Sequence, residues 1–335
     1  MGYAAEKKKV EKKIKRVKRN LLYAFLACIL ALIVVIVVIP PNTWAYRIKL
    51  PKTGERADGE LRIHFVDVGQ GDATVIELPD GKIMLIDGGD GSDTANKSLL
   101  RYLNALKVER IDYLLATHAD KDHCGGLERV LEYFEASRVF LPFVNPTVNS
   151  AFARFYQALK EKDCAVEYSA RSIALSGVDY RLQFLYPYTS DLQSSVEKGE
   201  YQEDTNEGSA VVWLEYQGVS ALFTGDAPKI VEEKLVRDDK LGLLDSLGIE
   251  LTSTEILKVA HHGSDDSTGA EFLEYLGVKT AVISCGENNA YNHPSQAVSA
   301  LLAQKGIDTY RTDKQGSIIA TVAQSGSYSL KALGK

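Results

Sequence analysis

The chain has 335 residues, 45% of them hydrophobic, enough to bury a sizeable core as one large α/β unit or as two or three smaller domains. Its net charge of −6 conceals an asymmetry: residues 1–20 carry nine Lys/Arg against Glu6 and Glu11, a local +7 that leaves −13 on the remainder. A body that acidic excludes loose binding of polyanions through a general positive field, so action on nucleic acid would need a local basic channel.

The chain opens on that basic block, and Leu21–Ile39 follows as an unbroken uncharged run, LLYAFLACILALIVVIVVI, ended by Pro40-Pro41. At roughly 1.5 Å per residue such a run covers about 28 Å, close to the hydrocarbon thickness of a bilayer. The basic side is expected in the cytoplasm and the rest of the chain outside. A cleaved signal peptide is the competing reading. Its apolar core is usually only about 7–15 residues and is followed by small residues, whereas Pro40-Pro41-Asn42-Thr43-Trp44 follows here. An uncleaved anchor is favoured. The expected organisation is a basic cytoplasmic segment (1–20), a transmembrane anchor (21–40), a linker (41–60) and one extracytoplasmic domain (61–330).

Within the body, alternation in LRIHFVD (61–67) predicts a half-buried strand, with further strands at 73–78 and 82–87 around the Asp80-Gly81 turn. A helix is predicted over 95–106 and an apolar strand over 111–116. Later strands are expected at 138–141, 181–185, 210–216, 219–223, 255–259 and 280–284. The matching helices are 127–134, 150–162, 228–237, 270–276 and 294–304. Residues 187–208 read as a polar, irregular loop. Two sheets with helices outside them suit this order. Of the four cysteines, Cys28 lies in the apolar run, and Cys124, Cys164 and Cys285 have no CxxC spacing, so no disulfide framework is expected. Cys124 and Cys285 read as packing residues.

Three strand ends carry the chemistry. The first, Thr117–Gly126 (THADKDHCGG), offers two His and two Asp within six residues, a dense set of metal ligands. The second, Phe223-Thr224-Gly225-Asp226, presents a carboxylate, and the third, Val259-Ala260-His261-His262-Gly263-Ser264, a His pair. Any one of these has a bland explanation as a turn, cap or core residue. Three strand ends together point to a metal site.

FVDVGQGDAT (65–74), LIDGG (85–89), THADKDHCGG, FTGDA (223–227), LKVAHHGSDDST (257–268), HPSQAVSALL (293–302) and RTDKQGSI (311–318) together resemble the metallo-β-lactamase superfamily. More narrowly they resemble the hydrolase domain of ComEC-type competence DNA-uptake proteins. The resemblance implies an αββα four-layer sandwich with metals at one edge of its two sheets. It implies His118 and Asp120 at a first metal position, Asp120 standing where the general pattern has His. Asp122 and His123 fall at a second position, with Asp226 bridging. One of the His pair completes the second position; His261, nearer the strand end, is slightly favoured, leaving His262 for a catalytic role. The family's middle His is missing, since residues 206–209 read Asn-Glu-Gly-Ser and no His lies between His123 and His261. With Asp for His, the donors shift from zinc toward manganese or magnesium. One or two divalent ions, manganese or zinc, are implied. Asp122 would orient the attacking water. His262, Ser264 and His293 are candidates to stabilise charge on a substrate phosphoryl group, although His293 also reads as the cap of a helix starting at Pro294. Asp67, Gln70, Asp72 and Asp87 are expected to orient the ligands by hydrogen bonds.

The leading expectation is a membrane-anchored metal-dependent phosphodiesterase, a nuclease acting on extracellular DNA, with any transport left to a separate uptake channel. A second reading is an esterase on phosphodiester cell-wall polymers of the teichoic-acid type. A third, from another class, is a binding protein with a decayed site.

Overall fold

The computed structural model describes residues 2–38, 45–203 and 205–335. Two compact units divide the chain, residues 1–49 and 50–335. The first is dominated by one helix, Gly2–Val38. Its stretch Glu6–Val34 is long and apolar enough to cross a membrane, and every side chain along that stretch is exposed. Ile39, Pro40 and the first four residues of the expected linker lie outside the described residues.

The second unit holds two sheets. The strands of the first are β1 (Leu61–Phe65), β2 (Thr74–Glu77), β3 (Ile83–Ile86), β4 (Arg110–Leu115), β5 (Glu135–Leu141) and β6 (Val166–Tyr168). The second sheet begins with β7 (Ala174–Ser176), β8 (Tyr180–Tyr186), β9 (Val211–Tyr216) and β10 (Val219–Phe223). It continues with β11 (Thr254–Lys258), β12 (Thr280–Ile283) and β13 (Asp308–Arg311). The chain then returns to the first sheet as β14 (Ile318–Val322) and β15 (Tyr328–Ala332). The orders are β15-β14-β1-β2-β3-β4-β5-β6 and β13-β12-β11-β10-β9-β8-β7. β3 to β6 run parallel, as do β10 to β13, and the remaining neighbours are antiparallel.

Alternation decides which side chains meet between the sheets. Ile63, Phe65, Ile76, Met84 and Leu115 from the first sheet pack with Phe184, Val212, Leu214, Ala221, Phe223 and Ile256 from the second. The opposite faces of the second sheet's strands, including Trp213, Leu222, Leu257 and Ala281, pack under helices at residues 229–240, 270–276 and 296–304. Helices 93–105, 127–133 and 150–161 bury Leu99, Leu103, Val130, Leu131, Phe152 and Phe155. The architecture is therefore the αββα sandwich that the motifs implied. Side-chain caps set several helix starts: Ser92 receives Ala95 N, Asn149 receives Ala151 and Phe152 N, and Ser295 receives Val298 N.

Several expectations need correcting. The polar stretch 187–208 contains a helix, Thr189–Lys198, closed by Gly199 at φ +68°. None of its residues is buried, so no apolar stripe announces it. The helix expected from Pro294 starts at Gln296, because Ser295 is the extended N-cap. The C-terminal hairpin β14–β15 was not expected, yet β14 lies beside β1 in the body of the first sheet. All four cysteines are free, with Cys124 and Cys285 buried; burial pushes both thiols up to about 12.

Candidate metal centre

Residues that follow β1, β3, β4, β10, β11 and β12 meet at one edge of the sandwich. One backbone hydrogen bond ties the two sheets there, Ala210 N donating to Thr117 O at 2.9 Å, and a second, from His261 N to Gly225 O at 3.1 Å, joins the ends of β11 and β10 within the second sheet. The DVGQGD turn lies directly against the HADKDH loop. Asp72 N donates to Asp122 O at 3.0 Å, and a Cβ on Gly71 (φ +136°) would stand 2.3 Å from that same oxygen. Only glycine permits so close an approach.

Four imidazoles at this edge are anchored through Nδ1. His123 Nδ1 donates to Asp87 Oδ2 at 2.8 Å. His118 Nδ1 donates to Thr117 Oγ1 at 3.0 Å, and that hydroxyl passes its own proton to Asp87 Oδ2 at 2.7 Å. His262 Nδ1 donates to Ser284 O at 2.9 Å. His261 Nδ1 donates to Asp266 Oδ1 at 3.0 Å. Each Nε2 is thereby turned inward, and all four face Asp226: His123 at 3.1 Å from Oδ1, and His261, His262 and His118 at 3.6, 3.7 and 3.8 Å from Oδ2. His262 Nε2 also lies 3.1 Å from Asp122 Oδ2 and 3.3 Å from His123 Nε2. Asp72, His123, Asp226 and His262, all buried, each place a donor atom within 4.8 Å of the others.

The electrostatics follow from this crowding. Burial lowers His262, but the charges of Asp226 and Asp72 and the hydrogen bond with Asp122 outweigh it and raise the imidazole to about 10. His123 is raised in the same way by Asp226 and Asp87, and His261 by Asp266 and Asp226 against its own burial. Burial opposes ionisation of Asp226, yet His123 and His262 hold it well below the usual carboxylate range. The hydrogen bond from His262 and the charge on His123 likewise bring Asp122 to about 2 despite its burial. His118 is lowered, first by burial and then by the charge on His123. The cluster is a strong sink for positive charge.

Does this donor set fit a divalent cation? Donors around a cation at about 2.1 Å stand roughly 3–3.5 Å apart, and the separations here run from 3.1 to 3.9 Å. His118 Nε2 is buried with no hydrogen-bond partner, a state that costs about 1–3 kcal/mol unless something satisfies it. Imidazole and carboxylate donors together suit zinc or manganese. The residues fit.

The other expected residues are placed as follows. Asp120 turns Oδ2 to 3.9 Å from His118 Nε2, while Thr205 donates its hydroxyl to Oδ1. Asp87 takes Thr117 N at 2.8 Å as well as the bonds above. Asp72 lies on the Nδ1 side of His262, 3.5 Å away, and pairs at 2.7 Å with the buried ammonium of Lys258. That ammonium would repel a cation bound on Asp72, so Asp72 fits an orienting role. Gln70 Oε1 accepts Gly286 N at 3.0 Å. Asp67 is bound elsewhere, to Gly69 N at 3.2 Å and Lys335 Nζ at 2.8 Å. Ser264 Oγ receives Asp266 N at 3.4 Å. His293 is half-buried, 5.5 Å from His261 and 6.3 Å from His262 between ring centres, and its Nδ1 has no partner. Burial and those two rings lower it. Thr117, Thr205, Lys258 and Asp266 are the participants that sequence reasoning did not single out.

The family model described as the metallo-β-lactamase superfamily matches residues 66–139, the stretch that supplies Asp72, Asp87 and the HADKDH loop. The chain belongs to the metallo-β-lactamase superfamily. Among curated proteins it is 32% identical over 276 residues to ComE operon protein 3 of Bacillus subtilis (strain 168), covering 77% of this chain and 33% of that protein. It is 29% identical over 269 residues to competence protein ComA of Neisseria gonorrhoeae, covering 80% and 33%. It is 27% identical over 240 residues to recombination protein 2 of Haemophilus influenzae, covering 71% and 26%. The chain thus spans about a quarter to a third of the length of these relatives. Within the superfamily, it has the fold and the donor set of a metal-dependent hydrolase.

Proposed function

We propose that this chain is a membrane-anchored, metal-dependent phosphodiesterase that cleaves DNA outside the cytoplasmic membrane. The observation that carries the hydrolase part is the inward convergence of four Nδ1-anchored imidazoles on Asp226. The choice of DNA rests on the competence relatives, and the topology on the apolar helix behind a basic block. Transport across the membrane is assigned to a separate uptake channel.

His118, Asp120, Asp122, His123, Asp226 and the His261/His262 pair would hold the ion or ions, manganese or zinc. When bound, a divalent cation supplies an acidified water and a Lewis acid for the phosphoryl oxygen. Asp122, kept ionised at about 2, accepts a hydrogen bond from the attacking water and aims it at phosphorus. Asp87, Asp72 and Ser284 O hold the imidazoles in one tautomer. His293, whose Nδ1 has no partner, would bind a phosphoryl oxygen or the leaving oxygen as the P–O bond breaks, and Ser264 is the second candidate for that role. Asp67, tied to Lys335, and Gln70, tied to Gly286, act on the turn that carries Asp72.

The test uses the full chain in detergent, beside Asp122→Ala, with single- and double-stranded DNA and a small phosphodiester, each with manganese or zinc. DNA cleavage lost in the variant is expected. Cleavage of the small diester alone would move the reading to a wall-polymer esterase, and no cleavage at all would leave a binding protein on a hydrolase fold.

A further inference from the structure

The loop that should carry the superfamily's middle His instead spends its side chains on orientation. Thr205 holds Asp120 by its carboxylate, and Ser209 Oγ receives Asp226 N at 3.2 Å. Neither brings a nitrogen donor to the first position, where His118, Asp120 and Asp226 meet. His261 does. Its Nε2 stands 3.6 Å from Asp226 Oδ2, the oxygen that His118 Nε2 approaches to 3.8 Å. Both separations are too long for a hydrogen bond and close to what two ligands of one cation require. His262 Nε2 stands 3.7 Å from the same oxygen, but it also lies 3.1 Å from Asp122 Oδ2 and 3.3 Å from His123 Nε2, contacts that put it with the second position.

The backbone shows how two adjacent residues can serve two positions. His261 (φ +48°, ψ +45°) and His262 (φ +55°, ψ +17°) are both left-handed. That region is strained for a non-glycine residue, and such outliers cluster at functional sites. Two in succession splay the rings, whose centres are 6.2 Å apart with planes at 67°. Asp266 then locks His261 through Nδ1, as a carboxylate commonly does behind a metal-bound His.

We propose that the His pair is divided between two metal positions: His261 takes the place of the absent middle histidine at the first, and His262 completes the second with Asp122 and His123. Asp266 is the positioning residue for His261. The proposal rests on the metal-dependent reading above and concerns which side chain serves which ion.

The test is a metal titration of the chelator-stripped full chain in detergent, using manganese with calorimetry and electron paramagnetic resonance. Wild type should bind two equivalents. His261→Gly, which suits the local φ, should bind one, with the spin-coupled signal of a manganese pair gone. Asp266→Asn should weaken one of the two affinities about tenfold and leave the other unchanged; this variant decides if His261→Gly fails to fold. Two ions of unchanged affinity in both variants would overturn the proposal, as would a single ion in wild type, the outcome expected if His261 instead contacts substrate. No manganese in wild type would overturn the metal-dependent reading itself, so the two failures are distinguishable.

Discussion

Replacing Asp87 with Asn keeps the shape of the side chain, and Asn tolerates the left-handed φ of +59° at this position. What changes is donor and acceptor count. Asp87 accepts three hydrogen bonds, from Thr117 N, Thr117 Oγ1 and His123 Nδ1, at 2.7–2.8 Å in a buried setting. An amide can offer only one oxygen. If that oxygen faces His123, the NH2 group confronts the Thr117 N–H, leaving a buried donor unsatisfied at a cost of about 1–3 kcal/mol. If it faces Thr117 N, the NH2 confronts His123 Nδ1. That ring must then carry its proton on Nε2, the atom aimed at Asp226. Either way the centre suffers: metal affinity should fall about 10–100-fold. The melting temperature in chelator should drop by roughly 2–4 °C per kcal/mol lost. Competition with a chelating dye measures the first and a thermal melt the second. An affinity within twofold of wild type would refute the claim that Asp87 fixes the His123 tautomer.

Lys258→Met leaves the buried Asp72 carboxylate without its 2.7 Å partner and should cost about 3–5 kcal/mol in urea unfolding; adding Asp72→Asn should recover most of it, and additive losses would refute the pairing. Gly71→Ala puts a methyl 2.3 Å from Asp122 O, so it should destabilise by more than about 1 kcal/mol and weaken metal binding, whereas wild-type behaviour in both assays would show that this approach relaxes freely. Burial raises Glu232 from 4.5 to about 7, partly offset by the amides of Gly269 and Thr268. A carboxyl raised in the folded state favours folding below its unfolded pKa and loses that contribution as pH rises through the folded one, so stability should fall by about 3 kcal/mol between pH 4.5 and 7. Glu232→Gln should flatten that slope in denaturation at stepped pH; an unchanged slope would assign it to other groups.

Much of this centre is legible in one dimension because metal ligands sit at strand ends. HADKDH, FTGD and HHGS each follow an apolar run, and alternation in LRIHF separates the side chains that meet between the sheets from Arg62 and His64, which are buried on the other face. What stays hidden depends on partners brought from elsewhere in the chain. Lys258 reads as one more residue of an apolar strand until Asp72 arrives from the DVGQGD turn. Thr117 and Asp87 meet only because β3 and β4 are parallel neighbours. The roles of His261 and His262 cannot be separated from the HH dipeptide, since two left-handed backbone conformations, not sequence order, set where each ring points. The helix at 189–198 escapes notice because it buries nothing. Strands β6 and β7 are three-residue edges with little alternation to read.

The most direct test of the metal-dependent account is elemental analysis of the purified full chain after manganese or zinc loading and desalting, beside Asp226→Ala. Asp226 is the carboxylate that all four imidazoles face. The account predicts at least one equivalent of divalent metal retained by the wild type and a large loss in the variant. No retained metal in a folded wild type, or equal metal in both, would contradict it.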